Sequence, residues 1–155
     1  VVEVGGMYAF GRAADVVGRK PLVAAGIGGH VLVGLFMAAS TLPASPLAGQ
    51  LTAGTALVVK GVGFSAMVAG TVAFIGDVAP VDRESELMGL RSTAKGVGGV
   101  LGPVVIGTIA TVATYEVAFV VSSLIAVAGA GIAWRLLVES HPDVPLDRTI
   151  PVGDD

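Results

Sequence analysis

An all-α membrane protein, a bundle of apolar helices crossing a bilayer, is the fold class this sequence predicts. Three observations carry that prediction. Charge is placed wrongly for a water-soluble fold: from Pro21 to Val81 the only full charges are Lys60 and Asp77, and from Gly96 to Ala133 the only one is Glu116. Composition agrees, with 14% charged residues, 54% hydrophobic residues and a mean hydropathy of +0.85, where a soluble domain is about 25% charged. The uncharged stretches also reach the roughly 20 residues that cross a hydrocarbon core, and they lack the polar face of an amphipathic surface helix.

The elements follow in order. Residues 1–10 read as a partial span, and Gly11–Lys20 as a polar loop. A second span covers 21–42, with Pro21 at its start, where the first helical amide lacks a partner anyway. Pro43-Ala44-Ser45-Pro46 reads as a short turn. A third span covers 47–78, long enough to cross with tilt, and Pro80 ends it. After a polar loop over Pro80–Lys95, a fourth span covers 96–113 and a fifth 117–137. Residues 139–155 carry five acids and one arginine and read as a flexible acidic tail.

Basic residues give the bundle a direction. Arg12, Arg19 and Lys20 lie on the first loop, and Arg83, Arg91 and Lys95 on the third. Arg135 follows at the end of the last span. The second and fourth loops carry no base. Alternation of this kind marks cytoplasmic loops, which places the tail in the cytoplasm. Twenty-three glycines suit helices that approach closely in lipid. Gly98 with Gly102, and Ala25 with Gly29, form small-xxx-small pairs.

Several function classes drop out. With no cysteine, disulfides and thiol metal sites are excluded. No basic cluster offers a nucleic-acid face. Gly61-Val-Gly63-Phe-Ser-Ala66 matches a dinucleotide fingerprint, but that motif requires a preceding strand, and here it sits inside a long apolar helix. The phosphate-binding pattern G-x-x-x-x-G-K-[ST] is absent. The two histidines, His30 and His141, are far apart, and no catalytic constellation appears, so neither an enzyme nor a cofactor is expected. The first residue is Val1 and no basic region precedes an apolar one. The chain is therefore expected to begin inside a longer protein, without a signal peptide.

Two ordered motifs point to a family. The first loop reads Gly11-Arg-Ala-Ala-Asp15-Val-Val-Gly18-Arg19-Lys20. The pattern G-x-x-x-D-x-x-G-R-K between two spans resembles the signature loop of the major facilitator superfamily. A second block runs from Lys60-Gly61-Val-Gly63 through Asp77, Pro80 and Arg83 to Gly98, Gly102-Pro103 and Gly107. It is similar to the family's glycine-rich fourth span of a half, followed by an acid, a proline, an arginine and G-x-x-x-G-P. The resemblance covers nearly all of the chain up to Glu139. It implies about four and a half spans of a 12-helix carrier made of two similar halves. Leu57, where the N-terminal half usually has arginine, and the loose tail favour the C-terminal half. The complete signature loop and the G-x-x-x-G-P are usually strongest in the N-terminal half.

The resemblance implies a secondary transporter that moves a small solute by alternating access, coupled to H+ or another ion, in the cell membrane. G-x-x-x-G-P is associated with antiporters and hints at efflux. The family's signature loop forms ion pairs with neighbouring helix ends that close the inner gate, which assigns Gly11, Asp15, Gly18, Arg19, Lys20, Asp77 and Arg83 to that face. Such exposed pairs are individually worth about 0–1 kcal/mol. Gly98, Gly102, Pro103 and Gly107 are assigned to helix packing. The alternatives are a non-transporting helical subunit and an inactive truncated half, because a five-span piece lacks one wall of a central cavity.

Ionisable groups at membrane depth usually face a cavity or a partner. Lys60 lies roughly 25 Å along a helix from Asp77. It reads either as a cavity-facing base that meets an anionic substrate or counter-ion, or as a lysine snorkelling to the interface. Glu3, roughly 12 Å from Gly11, reads as a proton-coupling carboxylate or as a packing partner. His30 is expected to pack, on a helix that is usually peripheral in the family.

Overall fold

The computed structural model describes the backbone of residues 2–42, 45–80 and 82–140, with side chains from residue 5 onward. Five helices follow one another: α1 (Val2–Val17), α2 (Arg19–Ala39), α3 (Pro46–Val78), α4 (Glu84–Val112) and α5 (Tyr115–Leu136). Helices α2 to α5 are each long and apolar enough to cross a membrane, with mean hydropathies of 2.0, 1.8, 1.5 and 2.1 over their most apolar stretches. There is no strand among the described residues.

Two stretches expected as polar loops are helical. Helix α1 continues through Arg12 and Asp15 to Val17, and the joint to α2 shrinks to Gly18. Scarcity of charge separates lipid from water but does not separate helix from loop, and Arg-Ala-Ala within this stretch favours helix. The break comes at Gly18, whose φ of 97° suits a residue without Cβ. Likewise α4 starts at Glu84 rather than near Gly96. Glu84 and Glu86 in its first turn complement the helix dipole, and Arg91 and Lys95 ride on the helix. Pro80 stops α3 as expected: Ala79 is extended (φ −68°, ψ 134°), because a following proline disfavours the helical conformation. Thr114 caps α5 by accepting from the Val117 N–H at 3.3 Å. Residues 43–44 of the expected turn and residues 141–155 of the expected tail lie outside the described residues. Glu139 and Ser140, read as the start of that tail, are held by the hydrogen bonds given below.

Helix α2 is the centre of the bundle, packing most extensively on α3 and then on α5. Its seam with α3 is made of bare backbone. A Cβ on Gly26 would stand 2.5 Å from the Met67 amide nitrogen and 2.7 Å from the Gly63 carbonyl oxygen. On the α5 side, a Cβ on Gly34 would collide with the Ser123 hydroxyl and stand 2.7 Å from the Phe119 carbonyl oxygen. Ser123 bridges the helices by donating to the Val31 carbonyl at 3.1 Å, a polar link of the kind that ties helices in lipid. Ala14, Leu22 and Ala66, with Phe10 and Ala73 against them, join α1, α2 and α3.

The expected packing pairs are redistributed. Gly29 does meet Gly63, but its partner on the seam is Gly26, and Ala25 is exposed. Gly98, Gly102 and Gly107 face open space, and Pro103 is exposed. Helix α4 has no buried residue, touching α5 modestly and α3 least, so the motif expected to pack helices finds no partner among the described residues.

The seam predicts an asymmetry. Gly26→Val forces α2 from α3 and is expected to cost about 2–3 kcal/mol, as overpacking does. Gly102→Ala, in open space, is expected to leave stability within about 0.5 kcal/mol. Unfolding of the purified chain in detergent, followed by tryptophan fluorescence, measures both; equal losses would contradict the assigned seam.

Candidate functional site

At the end of the bundle where α1, α3 and α5 finish and α2 begins, one guanidinium is withdrawn from solvent. Arg19 is 5% exposed. Its Nε donates to Asp77 Oδ2 at 2.7 Å, its Nη1 to the Ala14 carbonyl at 2.7 Å, and its Nη2 to Asp15 Oδ1 at 3.1 Å. A buried charge persists only when paired and hydrogen-bonded, and all three nitrogens are served. The Arg19 backbone N–H, unpartnered at a helix start, donates to Glu139 Oε1 at 2.8 Å. Ser140 Oγ donates to Asp77 Oδ2 at 3.0 Å. The segment after α5 thus folds over the α2 start and the α3 end. Gly18 is required here on a second ground: a Cβ on it would stand 2.9 Å from the Glu139 carboxylate.

The pairs around Arg19 are unequal. Asp15 is 67% exposed at its side chain and Asp77 31%. The Asp15 pair belongs with surface pairs, but the Arg19–Asp77 pair does not. The expectation that every ion pair here is exposed and weak is corrected by the cover that Glu139 and Ser140 provide.

A second feature lies between α2, α3, α4 and α5. It is a cavity of about 760 Å³ whose lining includes His30, Lys60, Met67, Gly98, Phe119 and Ser122. Lys60 is its one charged lining residue among those described. His30 Nδ1 lies 3.0 Å from the Gly26 carbonyl oxygen. A carbonyl only accepts, so Nδ1 carries the proton, and Nε2 remains free of that bond.

Residues 2–152 match the sequence profile of the Major Facilitator Superfamily. The chain belongs to that superfamily. Comparisons with curated proteins and with solved structures give no match. The superfamily is one of transporters rather than enzymes, and with its four apolar helices the chain is a multi-pass integral membrane protein of the major facilitator type.

In this major facilitator chain, the signature residues separate. Asp15, Arg19 and Asp77 meet, and Gly18 makes the joint. Gly11 is exposed on α1 with open space around it. Lys20 stands over the Trp134 ring of α5, 5.0 Å from its centroid, instead of joining the carboxylates. Arg83 pairs loosely with Glu86 at 3.9 Å, both side chains 72% exposed, and does not reach Arg19. Glu3 lies in the first turn of α1, with its side chain outside the described residues. His30, expected to pack on a peripheral helix, lines the cavity on the central one. Sequence reasoning missed Glu139 and Ser140. The available signal was Glu139 itself, an acid two residues beyond the last apolar span, at the end rich in arginine.

Removal of Asp77 leaves a buried cation short of its closest partner, and Asp77→Ala is expected to destabilise the chain by about 3 kcal/mol. Asp15→Asn, at an exposed position, is expected to cost about 0–1 kcal/mol. Denaturant unfolding in detergent compares them. A loss from Asp15→Asn as large as that from Asp77→Ala would show that exposure does not rank these pairs.

Proposed function

We propose that this chain is part of a secondary active transporter that moves a small solute across the cell membrane by alternating access, driven by H+ or another coupling ion. The observation that carries this reading is the buried Arg19, which ties α1, α2, α3 and the segment after α5 at one end of the bundle. An ionic latch there closes that end while the cavity lies deeper, which is the arrangement a carrier needs. Proton antiport with efflux is the direction we favour, and Glu3 is the candidate coupling carboxylate.

The latch end is the cytoplasmic one in this reading. Arg12, Arg19, Lys20, Arg83 and Arg135 all sit at helix ends on that side, and the opposite end has no lysine or arginine among the described residues. That asymmetry follows the positive-inside rule, even with Arg91 and Lys95 removed from the loop count. The open glycine face of α4 supports a carrier completed by further helices of the same transporter, with the lipid bilayer around the rest.

The absence of cysteine makes single-cysteine probes informative. Val16→Cys, at an 80% exposed position, is expected to react with a membrane-impermeant maleimide only in inside-out vesicles. Ala14→Cys, at a position 0% exposed, is expected to react slowly, and about tenfold faster once Asp77→Asn opens the latch locally. In the complete carrier, Asp15→Asn is expected to insert normally and to transport less. Unchanged Ala14→Cys reactivity together with wild-type flux would remove the gating role.

A further inference from the structure

The cavity has a chemistry that goes beyond a generic solute site. Its volume of about 760 Å³ falls in the usual range for small-molecule sites, which are mostly apolar with a few placed polar groups. Here the polar groups are His30, Lys60 and Ser122, and no carboxylate lines the cavity among the described residues. Ser122 Oγ is already committed to the Phe119 carbonyl at 2.7 Å. Lys60 makes no ion pair among the described residues. A second cation stands close by: Lys95 Nζ lies 5.4 Å from the ring centroid of Phe64, one helical turn along α3 from Lys60. Gly98, one turn along α4 from Lys95, lines the cavity.

The place of Lys60 on the cavity wall and its distance from the helix end favour its cavity-facing reading. At the end opposite the latch, α2 and α3 meet where Gly49 packs on the Ser40 carbonyl oxygen. Lys60 is eleven residues further along α3, about 16 Å at the helical rise. That is farther than a four-carbon stem reaches, and Lys60 lines the cavity instead. A charge left at this depth without a partner is costly, and such residues mark substrate pathways.

We infer that the cavity is a binding site for an amphipathic organic anion, whose carboxylate or sulfonate meets Lys60 and whose apolar body lies among Ile27, Met67, Phe119 and Ile125. This deepens the carrier reading and rests on it for the meaning of the cavity. Lys60, the one cation lining the cavity among the described residues, supplies the attraction, and no carboxylate among the described lining residues rewards a cationic solute. His30 Nε2 is placed to accept a hydrogen bond from a hydroxyl or amide on the same solute.

The test is equilibrium binding to the purified chain in phosphatidylcholine nanodiscs, with three probes of one shape: 2-naphthoate, 2-naphthamide and 2-naphthylmethylammonium. Naphthoate is expected to bind about tenfold more tightly than the amide, and the ammonium more weakly still, as a single complementary charge selects. Lys60→Met is expected to bring naphthoate down to the level of the amide and leave amide binding unchanged, which also shows that the cavity is intact. Lys60→Arg is expected to keep the preference. Equal binding of the three probes, or naphthoate binding unaltered in Lys60→Met, overturns the inference. Loss of naphthoate binding when phosphatidylglycerol is added assigns the lysine to lipid headgroups and overturns it as well. Solute flux and latch accessibility test the carrier reading separately, so either can fail alone.

Discussion

A guanidinium taken out of water at the edge of a bilayer must have its donors met, and much of this bundle is arranged around that demand. Arg19 occupies the first position of α2, so both its side chain and its backbone N–H need acceptors. The side chain draws on the last turn of α1 and on Asp77 at the end of α3, while the backbone draws on Glu139 beyond α5. Those acceptors can converge only if α1 ends where it does. Gly18 ends it with a positive φ and, lacking a side chain, admits the Glu139 carboxylate. Backbone conformation, charge burial and the placement of four chain segments are therefore one problem with one solution. Removing a partner from such a cluster is costly because the charge stays behind.

The signature loop announced this cluster in part. Asp15, Gly18 and Arg19 are spaced within one turn of each other, and local spacing is what a sequence displays. Asp77 followed from its place at the end of a long apolar run. Glu139 and Ser140 did not, because 120 residues separate Glu139 from Arg19 and nothing local marks the pairing. Arg83 shows the converse: sharing a membrane face with Arg19 did not bring it into contact, since α4 begins immediately afterwards and offers Glu86 one turn away. The helix ends were misread for a related reason. Charged residues signal where lipid stops, but a helix needs only compatible backbone propensity to continue past that plane, as α1 does through Arg12 and α4 does from Glu84.

Glycine patterns were legible as capacity and not as pairing. Gly26 and Gly98 sit in similar small-residue stretches, yet Gly26 lies within van der Waals contact of the α3 backbone while Gly98 borders a cavity. A small residue permits close approach; the partner comes from the order of helices in space, which the hydropathy of α2 and α4 does not encode. The consequence is mechanical. The α2–α3 seam, closed on bare backbone, leaves little room for those helices to slide. Helix α4, with no buried residue, is the element least bound to the others.

Helix α2 carries both sites. Arg19 stands at its first residue and His30 lies three turns along, on the cavity wall. Because α2 and α3 are joined on backbone, Asp77 and Lys60 move with the same rigid pair. Release of Arg19 from Glu139 and Asp15 therefore cannot be absorbed by slippage at the seam. Helix α5 is held as closely to α2, at Gly34 and through Ser123, and it supplies Phe119 and Ser122 to the same cavity. The proposed latch and the cavity thus share a closely packed frame, with α2 closed on α3 at Gly26 and on α5 at Gly34, and α4 is the loosely held wall. Under the proposed alternating access, binding in the cavity shifts the equilibrium only by the difference in its affinity for the closed and open arrangements. The groups able to make that difference are those that change neighbours between α4, which supplies Gly98 and Ile106 to the cavity, and the closely packed α2, α3 and α5.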